Sequence, residues 1–275
     1  MIDYGLKDRV ICITGGASGI GRAGALTAAR NGAHIAIIDL RQEDIDRTLD
    51  ECRAFGVKAT GCAMDVRDAA ATRAAAERIE AELGPVRGLY ACAGISRAHL
   101  ASDFVESDFD DIMDINTNGV FLSCREFGRR MIANGGGSIV AISSVDGIGG
   151  HPGRLAYAAS KHAVIGLTRT FALEWGRHNV RVNAIAPGLV DTPLLRANMP
   201  KPFMEDIAEQ RTPLGRMAQP EEISSVALML LSDACSYVTG AVVPIDGGLT
   251  SGYFTRGQGA DLASNKLLEA GVYTA

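Results

Sequence analysis

Short apolar runs alternate along the chain with longer stretches whose apolar and alanine positions recur at helical spacing. The runs at 9–14, 33–39, 58–63, 86–92, 138–143, 180–186 and 241–246 read as strands. The stretches at 20–31, 42–55, 69–83, 109–132, 155–176 and 220–231 read as helices, the fourth with Gly119 inside it. Gly84-Pro85 and the Asn134-Gly135-Gly136-Gly137 run act as stops, and Pro220-Glu221 opens the last helix. The strands are apolar on both faces, the pattern of a parallel sheet covered by helices. No polar linker interrupts the alternation from residue 9 to about 246. The expected architecture is therefore one α/β domain over residues 1–250, a doubly wound parallel sheet of about seven strands with helices on both faces.

Two segments break the rhythm. Residues 189–217 form a long connection carrying Pro193, Pro200, Pro202 and Pro213. A connection of that length in a compact domain points to a functional loop, and a short helix near 201–210 is expected within it. Residues 251–275 read as a C-terminal extension that packs on the same domain or a neighbouring subunit, with a weak helical pattern at 260–269.

Composition narrows the function classes. The 275 residues include 27 basic and 32 acidic side chains, a net charge of −5, which argues against nucleic acid as a partner. No apolar stretch approaches the length of a membrane span, and the charged start runs directly into the first strand, so a cytoplasmic location is expected. The six cysteines form no CxxC pair and no zinc-like cluster, so no metal is expected. Glycine is the outlier, with 32 residues gathered at the ends of apolar runs, where tight turns and close ligand approaches occur.

The first such cluster is residues 14–21, TGGASGIG, between the first strand and the first helix. Gly15, Gly19 and Gly21 permit a tight turn and close backbone approach, while the helix start offers free N–H groups of Ser18, Gly19 and Ile20 to a pyrophosphate. Asp39 with Leu40 closes the second strand, placed to accept the hydrogens of an adenosine ribose diol. Its carboxylate repels a 2′-phosphate, so NAD is expected over NADP, although Arg41 stands close by. Asp65-Val66 and Cys92-Ala93-Gly94 close the next two strands at the same sheet edge, toward adenine and ribose. Asp65 serves equally as a helix N-cap.

A second constellation lies in the helix at 155–176. Tyr157 and Lys161 stand four apart on one face, separated by Ala158-Ala159-Ser160. A nearby ammonium stabilises a phenolate and lowers the tyrosine pKa, which suits Tyr157 to proton exchange with an alcohol oxygen. Ser144, at the end of the preceding strand, is placed to hydrogen-bond that oxygen.

Residues 14–21, Asp39, Asp65, Asn116, Ser144, Tyr157, Lys161 and Pro187-Gly188 together resemble the short-chain dehydrogenase/reductase family in its classical subgroup, over roughly residues 7–248. The resemblance implies a Rossmann-like fold. It implies that Tyr157 is the catalytic acid–base, Lys161 the ligand of the nicotinamide ribose, Ser144 the substrate-orienting serine and Asn116 the support of a proton relay. It implies that Pro187, Gly188, Val190 and Thr192 lie along the nicotinamide, and that the chain assembles as a homotetramer or homodimer. One departure is Cys92, where the family commonly has asparagine.

The expected activity is NAD-dependent interconversion of a small-molecule secondary alcohol, such as a sugar, polyol or cyclic alcohol, and its ketone. Asp146 and His151 are candidate substrate contacts beside Ser144 and Tyr157. The alternatives are a 3-oxoacyl-(acyl-carrier-protein) reductase, with Arg125, Arg129 and Arg130 as a carrier-binding row, and a dehydrogenase of a hydrophobic alcohol such as a hydroxysteroid.

Overall fold

The computed structural model of the protein describes residues 4–252. The extension expected beyond them, with its helix at 260–269, lies outside the described residues. Seven parallel strands form one sheet: β1 (Val10–Thr14), β2 (His34–Asp39), β3 (Ala59–Ala63), β4 (Val86–Ala91), β5 (Gly137–Ile142), β6 (Val180–Pro187) and β7 (Val242–Ile245). Their order is β3-β2-β1-β4-β5-β6-β7. The chain winds outward from β1 to β3, then returns to lay β4 on the other side of β1. A crevice opens at that switch point, beyond the carboxyl ends of β1 and β4.

Successive strand residues point to opposite faces, and both faces are buried. Ile11 and Ile13 of β1, with Ile35 and Ile37 of β2, pack against α1 (Gly19–Arg30), α2 (Gln42–Arg53) and α9 (Pro220–Leu231). Val10, Cys12, Ala36 and Ile38 pack on the other side against α3 (Ala69–Leu83), α5 (Gly119–Ala133) and α6 (Leu155–Trp175). Trp175 is a core residue there, stacked on Phe171 with ring centroids 4.2 Å apart. His34 is structural, its Nδ1 accepting from the Lys58 N–H at 3.3 Å.

The element pattern read from the sequence holds, with two corrections. The single helix expected at 109–132 is instead α4 (Glu106–Met113), a π-helical turn (Asp114–Asn118) and α5. The extra residue in the turn swings Asn116 inward to a fully buried position. Gly119 opens α5 because a Cβ there would lie 2.6 Å from Cγ2 of Val66. The second correction concerns Asp65: Asp68 caps α3 instead, accepting from the Ala70 and Ala71 N–H groups at 2.8 and 2.9 Å.

The 189–217 connection holds two helices, α7 (Pro193–Asn198) and α8 (Lys201–Arg211). Met199, Met204 and Ile207 form a small core of their own with Leu189, Leu195 and Met217. That cluster holds the segment as a wall over the crevice.

Candidate active site

A cavity of about 520 Å³ occupies the carboxyl edge of the sheet. Gly15, Ser18, Gly19, Ile20, Gly21, Asp39, Leu40, Asp65 and Val66 line one end of it. Cys92, Ala93, Gly94, Pro187, Gly188, Val190 and Thr192 line the middle, and Ser144, Asp146, His151, Tyr157 and Lys161 the other end. Asn116, singled out with them from the sequence, stands behind the wall.

The glycine turn is shaped by backbone contact. A Cβ on Gly15 (φ +67°) would lie 2.8 Å from the Ala93 nitrogen, and one on Gly21 would lie 2.2 Å from the Gly15 carbonyl oxygen. The turn therefore packs flush on the loop after β4. Among the described residues no side chain caps α1: Ser18 makes no side-chain cap bond, and no acidic residue stands in the first turn. An uncapped helix start facing a cavity suits an anion. The Asp39 carboxylate accepts from the Ala17 N–H at 3.0 Å and the Leu40 N–H at 2.7 Å. A carboxylate has about four acceptor sites, so it retains capacity for a ribose diol. Arg41 is paired with Asp44 at 2.5 Å and is 82% exposed. A glycine cradle, an uncapped helix start and a free acceptor at the end of β2 fit a dinucleotide.

Asp65 is bound by Arg67, which donates its backbone N–H at 2.9 Å and its guanidinium at 2.7 Å. The guanidinium holds the Asp65 carboxyl below its usual range. At the Cys92 position, backbone groups bind the loop: the Cys92 N–H donates to the Thr14 carbonyl at 3.1 Å, and the Ala93 N–H to Thr14 Oγ1 at 3.3 Å. Burial pushes the Cys92 thiol well up, which disfavours the thiolate.

The Tyr157–Lys161 end rests on a buried polar scaffold. Lys161 Nζ donates to the Ile142 carbonyl at 2.9 Å, and Ser143 Oγ donates to the Lys161 carbonyl at 2.9 Å. Asn116 holds the loop after β4 from behind, accepting from the Ile95 N–H at 2.8 Å and donating to its carbonyl at 2.9 Å. Asn116 also donates to Ser160 Oγ at 3.1 Å, and Ser160 donates to the Tyr157 carbonyl at 2.7 Å. The sequence assigns no role to Ser143, Ser160 or Thr14. Ser160 was legible only as a small residue between Tyr157 and Lys161, because its hydroxyl matters through Asn116, which is distant in sequence.

The electrostatics correct one expectation. Lys161 Nζ lies 5.5 Å from the centre of the Tyr157 ring, yet the phenol is not lowered. Burial and the Asp146 charge push it up to about 12, and Ser144 and Arg154 pull against them. Burial likewise brings the Lys161 ammonium down to about 8. Desolvation disfavours the charged form of each group. Asp146 donates its N–H to Ser144 Oγ at 3.1 Å, and its carboxylate lies 3.5 Å from His151 Nδ1.

Known proteins resemble this chain along most of its length. A family model described as enoyl-(acyl carrier protein) reductase matches residues 15–250. A 3-oxoacyl-(acyl-carrier-protein) reductase of Thermotoga maritima is 41% identical over 244 residues, covering 89% of this chain and 98% of that protein. A D-threitol dehydrogenase of Mycolicibacterium smegmatis is 39% identical over 248 residues, covering 90% and 95%. The crystal structure of a levodione reductase superposes with a TM-score of 0.86 at 34% identity, covering 90% of this chain and all of that one.

Proposed function

The chain belongs to the classical short-chain dehydrogenase/reductase family, and from that membership we propose that it interconverts a secondary alcohol and its ketone with NAD(H), using Tyr157 as the acid–base. The observation that carries this reading is the meeting of Ser144, Tyr157 and Lys161 in one cavity with the glycine turn and Asp39. When bound, the dinucleotide supplies hydride exchange at the carbinol carbon.

Gly15, Ser18, Gly19, Ile20 and Gly21 hold the pyrophosphate, and Asp39 with Leu40 the adenosine ribose. Asp65 and Val66 flank adenine. Cys92, Ala93, Gly94 and Lys161 face the second ribose, with Pro187, Gly188, Val190 and Thr192 along the nicotinamide. The Asp39 carboxylate repels a 2′-phosphate, and Arg41 is engaged by Asp44, so NAD is favoured over NADP. In oxidation the Tyr157 phenolate takes the hydroxyl proton while Ser144 holds the alcohol oxygen. Reduction returns the proton by the same path. Asn116 is a positioning residue that fixes the loop after β4 against α6.

Sugars, polyols and cyclic alcohols suit the polar end of the cavity at Ser144, Asp146 and His151. A hydrophobic alcohol, such as a hydroxysteroid, is the second reading, favoured by Leu194, Leu195, Met199 and Ile207, which also line the cavity. The acyl-carrier reading rests on a basic row of which Arg129 is exposed. Arg130 is paired with Glu77, Glu80 and Glu126, and Arg125 lies over the Phe121 ring.

The test is a panel of sugars, polyols, cyclic alcohols and hydroxy acids with NAD⁺ and NADP⁺, read as dinucleotide reduction. We expect turnover with higher kcat/KM for NAD⁺. Tyr157→Phe is expected to lower kcat by about 10²–10⁴ while NADH still binds. Undiminished activity in that variant removes the role of Tyr157, and a preference for NADP⁺ removes the cofactor assignment.

A further inference from the structure

We propose that Arg154 makes this pocket selective for alcohols and ketones carrying a carboxylate, so that the substrates are hydroxy acids and their oxo counterparts. The proposal rests on the oxidoreductase reading of the site and adds the charge of its substrate.

Arg154 stands immediately before α6, three residues ahead of Tyr157, and is only 7% exposed. A buried guanidinium is costly unless an anion or a full set of acceptors compensates it. Several other arginines packed against the fold find such partners: Arg130 meets three carboxylates, Arg22 meets Glu51, and Arg181 is spread over four backbone carbonyls. Arg154 has no carboxylate partner among the described residues. Its two hydrogen bonds run to Ser96 Oγ at 2.6 Å and to the Asn198 carbonyl at 3.0 Å. A guanidinium carries five N–H donors in a planar fork suited to bidentate carboxylate binding.

Those two bonds come from two different walls. Ser96 follows β4 and Asn198 ends α7, so the guanidinium is clamped in the side of the cavity that also holds Tyr157, Leu195 and Met199. Its charge reaches the reacting end, because it favours the ionised form of the Tyr157 phenol. Arg211, exposed at the end of α8, lines the same cavity and joins no ion pair among the described residues. Asp146 is the opposing charge in the cavity, and His151 lies 3.5 Å from it. An anion is thus drawn to the Arg154 wall and away from Asp146, which orients the substrate with its hydroxyl at Ser144 and Tyr157.

The experiment uses matched pairs that differ only in charge: gluconate against sorbitol, and racemic 3-hydroxybutyrate against its methyl ester. Wild type is expected to favour the acid of at least one pair by about tenfold or more in kcat/KM. Arg154→Gln should lose at least about tenfold more on that acid than on its neutral partner, chiefly through KM, and Arg154→Lys should recover part of the difference. A second readout does not need turnover: in the presence of NADH, gluconate or 3-hydroxybutyrate should raise the Tm of wild type and not of Arg154→Gln. A preference for the neutral member, or equal losses on both members in Arg154→Gln, overturns the proposal and leaves Arg154 as a clamp between the walls. Thermal protection that depends on Arg154 without turnover of any panel member supports anion binding and overturns the oxidoreductase reading instead. The absence of both turnover of these acids and thermal protection by them overturns the proposal.

Discussion

Tyr157 is held neutral by its own surroundings, with burial and Asp146 raising the phenol to about 12 while Ser144 and Arg154 act against them. In the proposed mechanism the form competent for oxidation is the phenolate, so oxidation is expected to rise with pH toward the phenol pKa and reduction to fall. Asp146 raises that pKa by like-charge repulsion, and its removal lowers it. Asp146→Asn is therefore expected to move the rising limb of kcat/KM for alcohol oxidation to lower pH at saturating NAD⁺. A limb that stays in place or moves upward would show that Asp146 does not act on the phenol. The roles proposed for Ser144, Tyr157 and Lys161 were legible because one strand end and one helix turn fix their spacing. The buried state of Arg154 was not, since it depends on Asn198, 44 positions away in a segment whose path no local pattern specifies.

At the scale of elements, α9 shows how a legible helix start supports the cavity from a distance. Pro220-Glu221 marked the start of α9 in the sequence, and the structure adds the partners. The Gln219 N–H donates to Glu222 at 2.8 Å, and both ends of the Arg216 guanidinium donate to the same carboxylate, each at 2.8 Å. Further along α9, Ser224 Oγ donates to the Ile20 carbonyl at 2.9 Å, tying the helix to the glycine turn. Arg216 and the Gln219 N–H hold the Glu222 carboxyl at about 2. An unfolded glutamate titrates near ~4.3. The folded value is the lower one, so the charged pair contributes stability above the unfolded value and loses it as pH falls through about 2. Glu222→Gln keeps an acceptor for the Gln219 N–H and removes the charge. Urea midpoints should show a small deficit at neutral pH that narrows once the pH drops below ~4.5. A deficit independent of pH would assign the effect to packing. The π-helical turn at Asp114–Asn118 had no comparable mark. Its residues read as continuous helix, and the shift is tied to Asn116 meeting Ile95, a contact made across the fold.

On the scale of the whole molecule, the order β3-β2-β1-β4-β5-β6-β7 splits the sheet into two halves that meet at β1 and β4. A dinucleotide bound across that junction, as proposed, would touch both halves, so its binding is expected to add to the stability of the entire fold. The layered sheet was readable because strands apolar on both faces permit few other arrangements, whereas the wall at 189–217 needed the methionine cluster to become visible. Gly19 separates binding from folding at this junction. Its φ is +50°, and a Cβ there would meet only the Thr192 side chain, at 3.5 Å. Gly19→Ala should therefore fold at a cost of about 1–2 kcal/mol for the left-handed backbone. The added methyl would stand in the mouth of the crevice between the start of α1 and Thr192. A ligand at a hundred times its Kd stabilises the folded state by about 2.7 kcal/mol, a rise of roughly 5–10 °C in Tm for a chain of this size. Wild type should show that rise with NADH, and Gly19→Ala, measured at the same NADH concentration, should show little of it. An equal rise in both proteins would place the pyrophosphate away from the start of α1.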